Sequence, residues 1–168
     1  MMMYTLEQLN DLEQIRELRT AYSHYYDGQD IDGLCSLFAE NAVCLWDDKH
    51  GGSWKGIEEI RRHYLEYFEK YPGYFSVLHA VTNHQIRLEE NKTATGRCFL
   101  LDYNFLKKER PSPLGTVGVY DDVYVKTEDG WKFSRISLDF LWPERAIMSR
   151  SGDEDISTAD IESLRGLL

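Results

Sequence analysis

Thr93-Ala94-Thr95-Gly96-Arg97-Cys98-Phe99-Leu100-Leu101-Asp102-Tyr103-Asn104 is the stretch on which the fold turns. Read with a period of two, it puts Ala94, Gly96, Cys98, Leu100, Asp102 and Asn104 on one face, an apolar row that ends in a carboxylate and an amide. That alternation predicts a strand from Thr93 to Leu106 with one face turned inward.

Its flanks follow the same habit. Phe75 to Glu89, Thr116 to Lys126 and Trp131 to Leu141 are rich in Val, Thr, Phe, Tyr and Ile, with Glu90-Asn91-Lys92 and Glu128-Asp129-Gly130 as turns between neighbours. Strands this long bend, and Gly96, Gly115 and Gly118 are the expected bend or bulge points.

Upstream, the period changes. Leu9, Leu12, Ile15, Leu18, Tyr22 and Tyr25 or Tyr26 recur every three or four residues and predict a helix from Thr5 to about Gln29, stopped by Gly28. Asp30 is the expected N-cap of a short second helix with Leu34, Leu37 and Phe38 on one face. Ala42 to Trp46 and Ser53 to Lys55 read as a hairpin around Lys49-His50-Gly51-Gly52. A third helix follows Gly56, with Ile57, Ile60, Tyr64, Leu65 and Phe68 as its buried stripe until Pro72-Gly73. Helices first and antiparallel strands afterwards is the order of an α+β domain.

The expected domain runs over residues 1–143, with Lys107 to Pro113 as an exposed connector and residues 144–168 as a C-terminal tail or docking helix. A length of 168 residues suits one domain. Apolar residues make up 42% and charged residues 29%, which separates the chain from disordered sequences. The net charge of -10 argues against nucleic acid and anionic membrane surfaces, both of which need a clustered positive field. No run approaches the roughly 20 apolar residues of a membrane span, and the Met-rich start lacks a basic and an apolar leader region, so a cytoplasmic location is expected. Cys35, Cys44 and Cys98 are odd in number and widely spaced, which reads as reduced core residues rather than a disulfide frame or zinc site.

Four residues stand out chemically. Asp102 closes an apolar row, and a buried carboxylate costs several kcal/mol unless paired, so it is a structural acceptor or part of a site. His79 lies in Val77-Leu78-His79-Ala80-Val81 and shares its face with Val77, Val81 and Asn83; it is a core histidine, or a base if Asp27 or Asp102 orients it. Asp27 ends the first helix, where the dipole disfavours an acid, although Asp27-Gly28 is also ordinary turn chemistry. Tyr22 sits on the buried stripe, where core packing explains it equally well. His24, His50 and His63 read as solvated, and His84 falls on the face opposite His79. No phosphate loop, nucleophile elbow or metal-spaced cluster is present in the sequence, so no cofactor and no metal are expected.

Ile15-Arg16-Glu17-Leu18 with Tyr22 and Tyr26-Asp27-Gly28, Leu37-Phe38-Ala39-Glu40-Asn41-Ala42-Val43, the His79 strand, Thr93-Ala94-Thr95-Gly96-Arg97 and Asp129-Gly130-Trp131-Lys132-Phe133 form a wider pattern. Together they resemble the SnoaL-like branch of the nuclear transport factor two-like superfamily, in particular its scytalone dehydratase and bile-acid 7α-dehydratase members, over residues 6 to 142.

The resemblance implies a cystatin-like, cone-shaped α+β barrel, with a curved mixed or antiparallel sheet wrapped around the N-terminal helices, and a homodimer or homotrimer formed through sheet faces. It implies catalytic roles for Tyr22, Asp27, His79 and Asp102, with Tyr26 able to stand in for Tyr22; Tyr26, Trp46, Asn83 and Asn104 are the residues expected to bind substrate. A second scytalone-dehydratase histidine has no counterpart, since that region reads Gly115-Thr116-Val117-Gly118. The implied activity is cofactor-independent elimination of water from a small apolar or aromatic hydroxylated, carbonyl-activated molecule. The scaffold also hosts isomerases, cyclases and non-catalytic binding or assembly subunits.

Overall fold

A computed structural model describes residues 3–105 and 113–143. The predicted connector 107–113, apart from Pro113, and the tail 144–168 lie outside the described residues.

Helix α1 spans Leu6–Asp27 and opens on a reciprocal cap, in which the Thr5 side chain accepts from the Gln8 amide and the Gln8 side chain accepts from the Thr5 amide. Gly28 caps its end, its amide donating to the His24 carbonyl, and a β-carbon there would lie 2.9 Å from that same oxygen. Helix α2, Ile31–Ser36, is capped by Asp30 as expected. Phe38, however, does not continue it: strand β1 begins there and runs Phe38–Leu45, earlier than the predicted Ala42. A 3-10 turn at Asp48–His50 leads to β2, Ser53–Lys55, and α3 follows over Ile57–Lys70. Four long strands complete the chain: β3 Val77–Leu88, β4 Thr93–Asn104, β5 Leu114–Thr127 and β6 Gly130–Trp142.

The strands form a six-stranded sheet in the order β2-β1-β6-β5-β4-β3. All pairings are antiparallel except β1 with β6, so the sheet is mixed. It is open rather than closed. Helix α1 touches both β3 and β6, three strands apart, which requires the sheet to curve around it. Lys126 Nζ (2.7 Å) and Trp131 Nε1 (3.0 Å) both reach Asp11 Oδ1 and tie the start of the helix to the β5–β6 hairpin.

The space between sheet and helices is packed with rings. Tyr22, Tyr64, Tyr120, Tyr124 and Phe133 are all at most 2% exposed. Burial of this much aromatic surface is the main force holding α1 and α3 against the sheet. Two expected stripe residues stay outside: Leu9 is 49% and Leu65 38% exposed. Cys35, Cys44 and Cys98 are buried free thiols.

One irregularity changes which side chains face inward. The β3–β4 register slips between Thr82 and Gln85, and Asn83 adopts φ 55° at the slip. The extra residue reverses the alternation beyond it, so His84, Ile86 and Leu88 turn inward where strict period two placed His84 outside.

Candidate functional site

His79 and Asp102 are register partners across β3 and β4 and therefore project from the same inner face of the sheet. Asp27 approaches them from the last residue of α1. Its two carboxylate oxygens divide the work: Oδ2 accepts the His79 backbone N–H at 2.9 Å, and Oδ1 lies 2.5 Å from His79 Nδ1. Both side chains are largely withdrawn from water, at 6% and 12% exposure. An ionised carboxylate can only accept, so Nδ1 carries the shared proton and the lone pair sits on Nε2. The two hydrogen bonds offset the unfavourable position of an acid at a helix C-terminus.

Tyr26 stands beside this pair. Its ring centre is 4.6 Å from the imidazole at 75°, an edge-to-face contact. Burial holds its hydroxyl well above the usual tyrosine range, which keeps it a neutral donor, and the hydroxyl interacts with Tyr67. The Tyr67 hydroxyl, also raised by burial, feels the charge of Asp102. Asp102 further explains Gly115, where an added β-carbon would sit 3.2 Å from Asp102 Oδ2.

Other expected site residues fare differently. Tyr22 is 2% exposed and its hydroxyl is 2.9 Å from that of Tyr64, so it lies one turn deeper than Tyr26 and is engaged with a neighbour. Trp46 is buried edge-on against Trp54, and its indole Nε1 has no hydrogen-bond partner among the described residues. Asn104 pairs with Val77 one register step beyond His79 and keeps its predicted face. Asn83 does not: the bulge leaves it exposed, away from the face it was expected to share with His79.

Sequence reading missed a second polar chain in the interior. The Arg19 guanidinium, fully buried, lies 3.6 Å from the Tyr120 ring centre and 4.4 Å from that of Tyr22, with Nη1 3.4 Å from Asp122 Oδ2. Tyr124 donates to Asp122 at 2.9 Å, and His84 Nε2 meets the Tyr124 hydroxyl at 3.2 Å. Desolvation outweighs the attraction of Arg19 and pushes the Asp122 carboxyl up to about 6, while burial, with Arg19 and Arg16 nearby, lowers His84 to about 4. The signal was present: Arg19 falls on the stripe between Ile15 and Tyr22, and Asp122 alternates with Tyr120 and Tyr124. His63, expected in solvent, stacks on Trp54 at 4.6 Å.

Among the described residues, no three His, Cys, Asp or Glu side chains gather as metal ligands, and no helix is long and apolar enough to cross a membrane. A groove of about 690 Å³ is lined by residues that include Arg87, Arg97, Asp121 and Arg135 and holds none of the predicted site residues. His79, held by Asp27 through both its backbone amide and its ring, rather than the size of that groove, marks the site.

Similar proteins agree with this architecture. A candidate aromatic ring hydroxylase from Novosphingobium aromaticivorans is 28% identical, with a TM-score of 0.67 over 80% of this chain and 92% of its own. A candidate scytalone dehydratase from the same organism is 21% identical, with a TM-score of 0.70 over 88% and 96%. A third protein from that organism, NTF2-like with a cystatin-like fold, is 21% identical, with a TM-score of 0.69 over 83% and 87%. No curated protein matches the sequence. Residues 7–137, most of the chain, match the SnoaL-like domain, and the protein belongs to that family, on the NTF2-like, cystatin-like fold.

Proposed function

We propose that the protein is a cofactor-independent hydro-lyase that removes water from a hydroxylated, carbonyl-activated cyclic or polyketide-like small molecule. The observation that carries the reading is the double engagement of His79 by Asp27, which fixes one tautomer and presents Nε2 as a base. In the proposed step His79 Nε2 abstracts the proton next to the carbonyl. Tyr26, nearer to the imidazole than Tyr22, turns its hydroxyl proton from Tyr67 to the developing enolate oxygen. Asp102 contacts a substrate hydroxyl, and Trp46 Nε1 and Asn104 are further polar contacts. The C–O bond then breaks as the enolate collapses, releasing water.

The candidate dehydratases among the structural neighbours support this chemistry. The same proton abstraction serves a double-bond shift or ring closure, and product mass separates the cases: elimination makes the product lighter by one water, and isomerisation leaves the mass unchanged. A non-catalytic subunit draws support from the ring-filled interior, but that role gives no reason to hold an imidazole in one tautomer.

The test is a mass-spectrometric screen of hydroxylated steroids, naphthols and polyketide-like ketones with the wild type and His79→Ala. Loss of about 10² to 10⁴ in turnover is expected from a variant that still folds cooperatively, its melting temperature lowered by the lost bond to Asp27. Full activity of a folded His79→Ala protein refutes the reading.

The outer sheet face supports self-association. Leu78 (43% exposed) and Phe99 (42%) lie there among Leu101, Val117 and Val119, a patch that fits a homodimer or homotrimer.

A further inference from the structure

Asp27 serves the imidazole only while Oδ1 points at Nδ1, and a carboxylate on the last residue of a helix turns away unless neighbouring hydrogen bonds lock its rotamer. Here the lock comes from outside the helix. Residues 71–76, between α3 and β3, fold back against the end of α1.

The Phe75 amide donates to the Asp27 carbonyl at 2.9 Å, and farther along the same run of chain the His79 amide donates to Asp27 Oδ2 at 2.9 Å. One segment thus grips Asp27 at its main chain and at its carboxylate. With both ends held, the side chain cannot rotate without breaking a bond, and Oδ1 stays 2.5 Å from Nδ1.

Gln29 closes the grip at the start of the segment. Its Nε2 donates to the Tyr71 carbonyl at 2.9 Å, and its Oε1 accepts from the Gly73 amide at 3.4 Å. Within the segment the Ser76 amide donates to the Gly73 carbonyl at 2.9 Å, and the Ser76 carbonyl accepts from the Phe105 amide at 2.9 Å, which moors the loop just past the end of β4.

Both residues adopt a backbone conformation that their side chains resist. Gln29 has φ 54° and Phe75 φ 51°, the left-handed region, where an aromatic residue is an outlier. Such strain persists where surrounding contacts over-determine it, and it gathers at functional sites. Burial of the ring does not offset it: Phe75 is 45% exposed, and Tyr74, with its ring centre 4.5 Å away, is 76% exposed. What the turn secures is the aim of the Phe75 amide at Asp27.

We infer that Gln29 and the main chain of Phe75 are positioning residues that clamp Asp27 on His79 and so select the tautomer of the base. This rests on the hydro-lyase reading. Both residues act through Asp27 rather than on the substrate. When the clamp opens, Oδ1 leaves Nδ1, the ring proton spreads over both nitrogens, and fewer molecules offer a lone pair at Nε2. Turnover then falls while substrate affinity does not.

Gln29→Gly removes the bonds to Tyr71 and Gly73 and suits the left-handed φ, so the variant is expected to fold. On a β-hydroxy ketone of the screened panel its kcat is expected to fall about 10- to 10²-fold with KM within about threefold. Nitrogen-15 spectra, recorded without substrate, are expected to show His79 protonated at Nδ1 in the wild type and a mixture of tautomers in Gln29→Gly. A loop that merely stabilised the fold would leave the tautomer unmoved. Phe75→Asn keeps the turn and the amide, and is expected to keep wild-type kcat and tautomer. Phe75→Pro has no amide hydrogen and is expected to behave as Gln29→Gly does. Wild-type kcat and a single tautomer in a folded Gln29→Gly protein overturn the clamp and, beside an inactive His79→Ala, leave the hydro-lyase reading standing. Mixed tautomers in Phe75→Asn overturn the assignment to the main chain. Full activity of His79→Ala overturns the hydro-lyase reading, and the tautomer, which needs no substrate, still decides the clamp.

Discussion

Replacing Asp27 by Asn alters one proton at the centre of the site and almost nothing else. One oxygen remains to accept the His79 amide, so the bond at 2.9 Å survives. The other position becomes an NH2 that faces Nδ1 at the 2.5 Å contact, where two donors now meet. The imidazole relieves this by moving its proton to Nε2, which removes the lone pair from the position the base requires. Where an amide replaces the carboxylate behind a catalytic imidazole, the cost is up to about 10⁴ in kcat. A loss of 10² to 10⁴ is therefore expected here, equivalent to about 3–5 kcal/mol of barrier. Stability should fall less, by about 1–3 kcal/mol, since one charge-assisted hydrogen bond is lost in a largely buried place. The tautomer can be read without substrate. Nitrogen-15 spectra of the His79 ring should show protonated Nδ1 in the wild type and protonated Nε2 in Asp27→Asn. The same tautomer in both proteins, or unchanged kcat in a folded variant, would refute the reasoning.

Burial lowers His84 from 6.5 to about 4, so between these values the unfolded chain takes up a proton that the folded one does not, and stability falls as pH drops. After allowance for partial exposure the contribution is about 1–2 kcal/mol, and His84→Gln should show a smaller loss of melting temperature from pH 7 to 5 than the wild type. Asp122 acts with the opposite sign, because its raised carboxyl favours folding as pH falls through about 6, and the comparison of His84→Gln with wild type cancels it. Asp122→Ala strands the buried Arg19 charge and should cost about 3–5 kcal/mol in chemical denaturation, much of it recovered by adding Arg19→Met; a loss below about 1 kcal/mol would contradict the pairing. Phe99→Glu puts a charge in the outer apolar patch and should reduce the mass measured by light scattering if copies associate there; an unchanged mass places any interface elsewhere.

Periodicity carried most of the fold. Among the described residues, the change from a three-to-four-residue rhythm before residue 74 to alternation after it marked α1, α3 and the four long strands, and Gly28 and Asp30 stop and cap helices where the sequence put them. Errors arose where tertiary packing overrode local pattern. Phe38 continues the apolar stripe of α2, yet its backbone pairs with Phe133 in β6. Asn83 alternates correctly in sequence, but the bulge discards it and brings His84 inward, and nothing in the local composition marks that slip. At the site, Asp27 and His79 are 52 residues apart, and their union depends on where α1 ends against β3. Residue types alone could not separate Tyr22 from Tyr26, which differ by one helical turn and by which ring meets the imidazole. Arg19 escaped notice because a cation on an apolar stripe reads as a solvated neighbour until two tyrosine faces are found around it.

Solvent-isotope labelling addresses the base most directly. Wild type and His79→Ala are incubated in heavy water with the ketone panel, and both the substrate that remains and the product are weighed by mass spectrometry. Deuterium entering next to the carbonyl, with a product lighter by one water, only when the imidazole of residue 79 is present is the predicted result. Equal exchange and equal product in both proteins would contradict it.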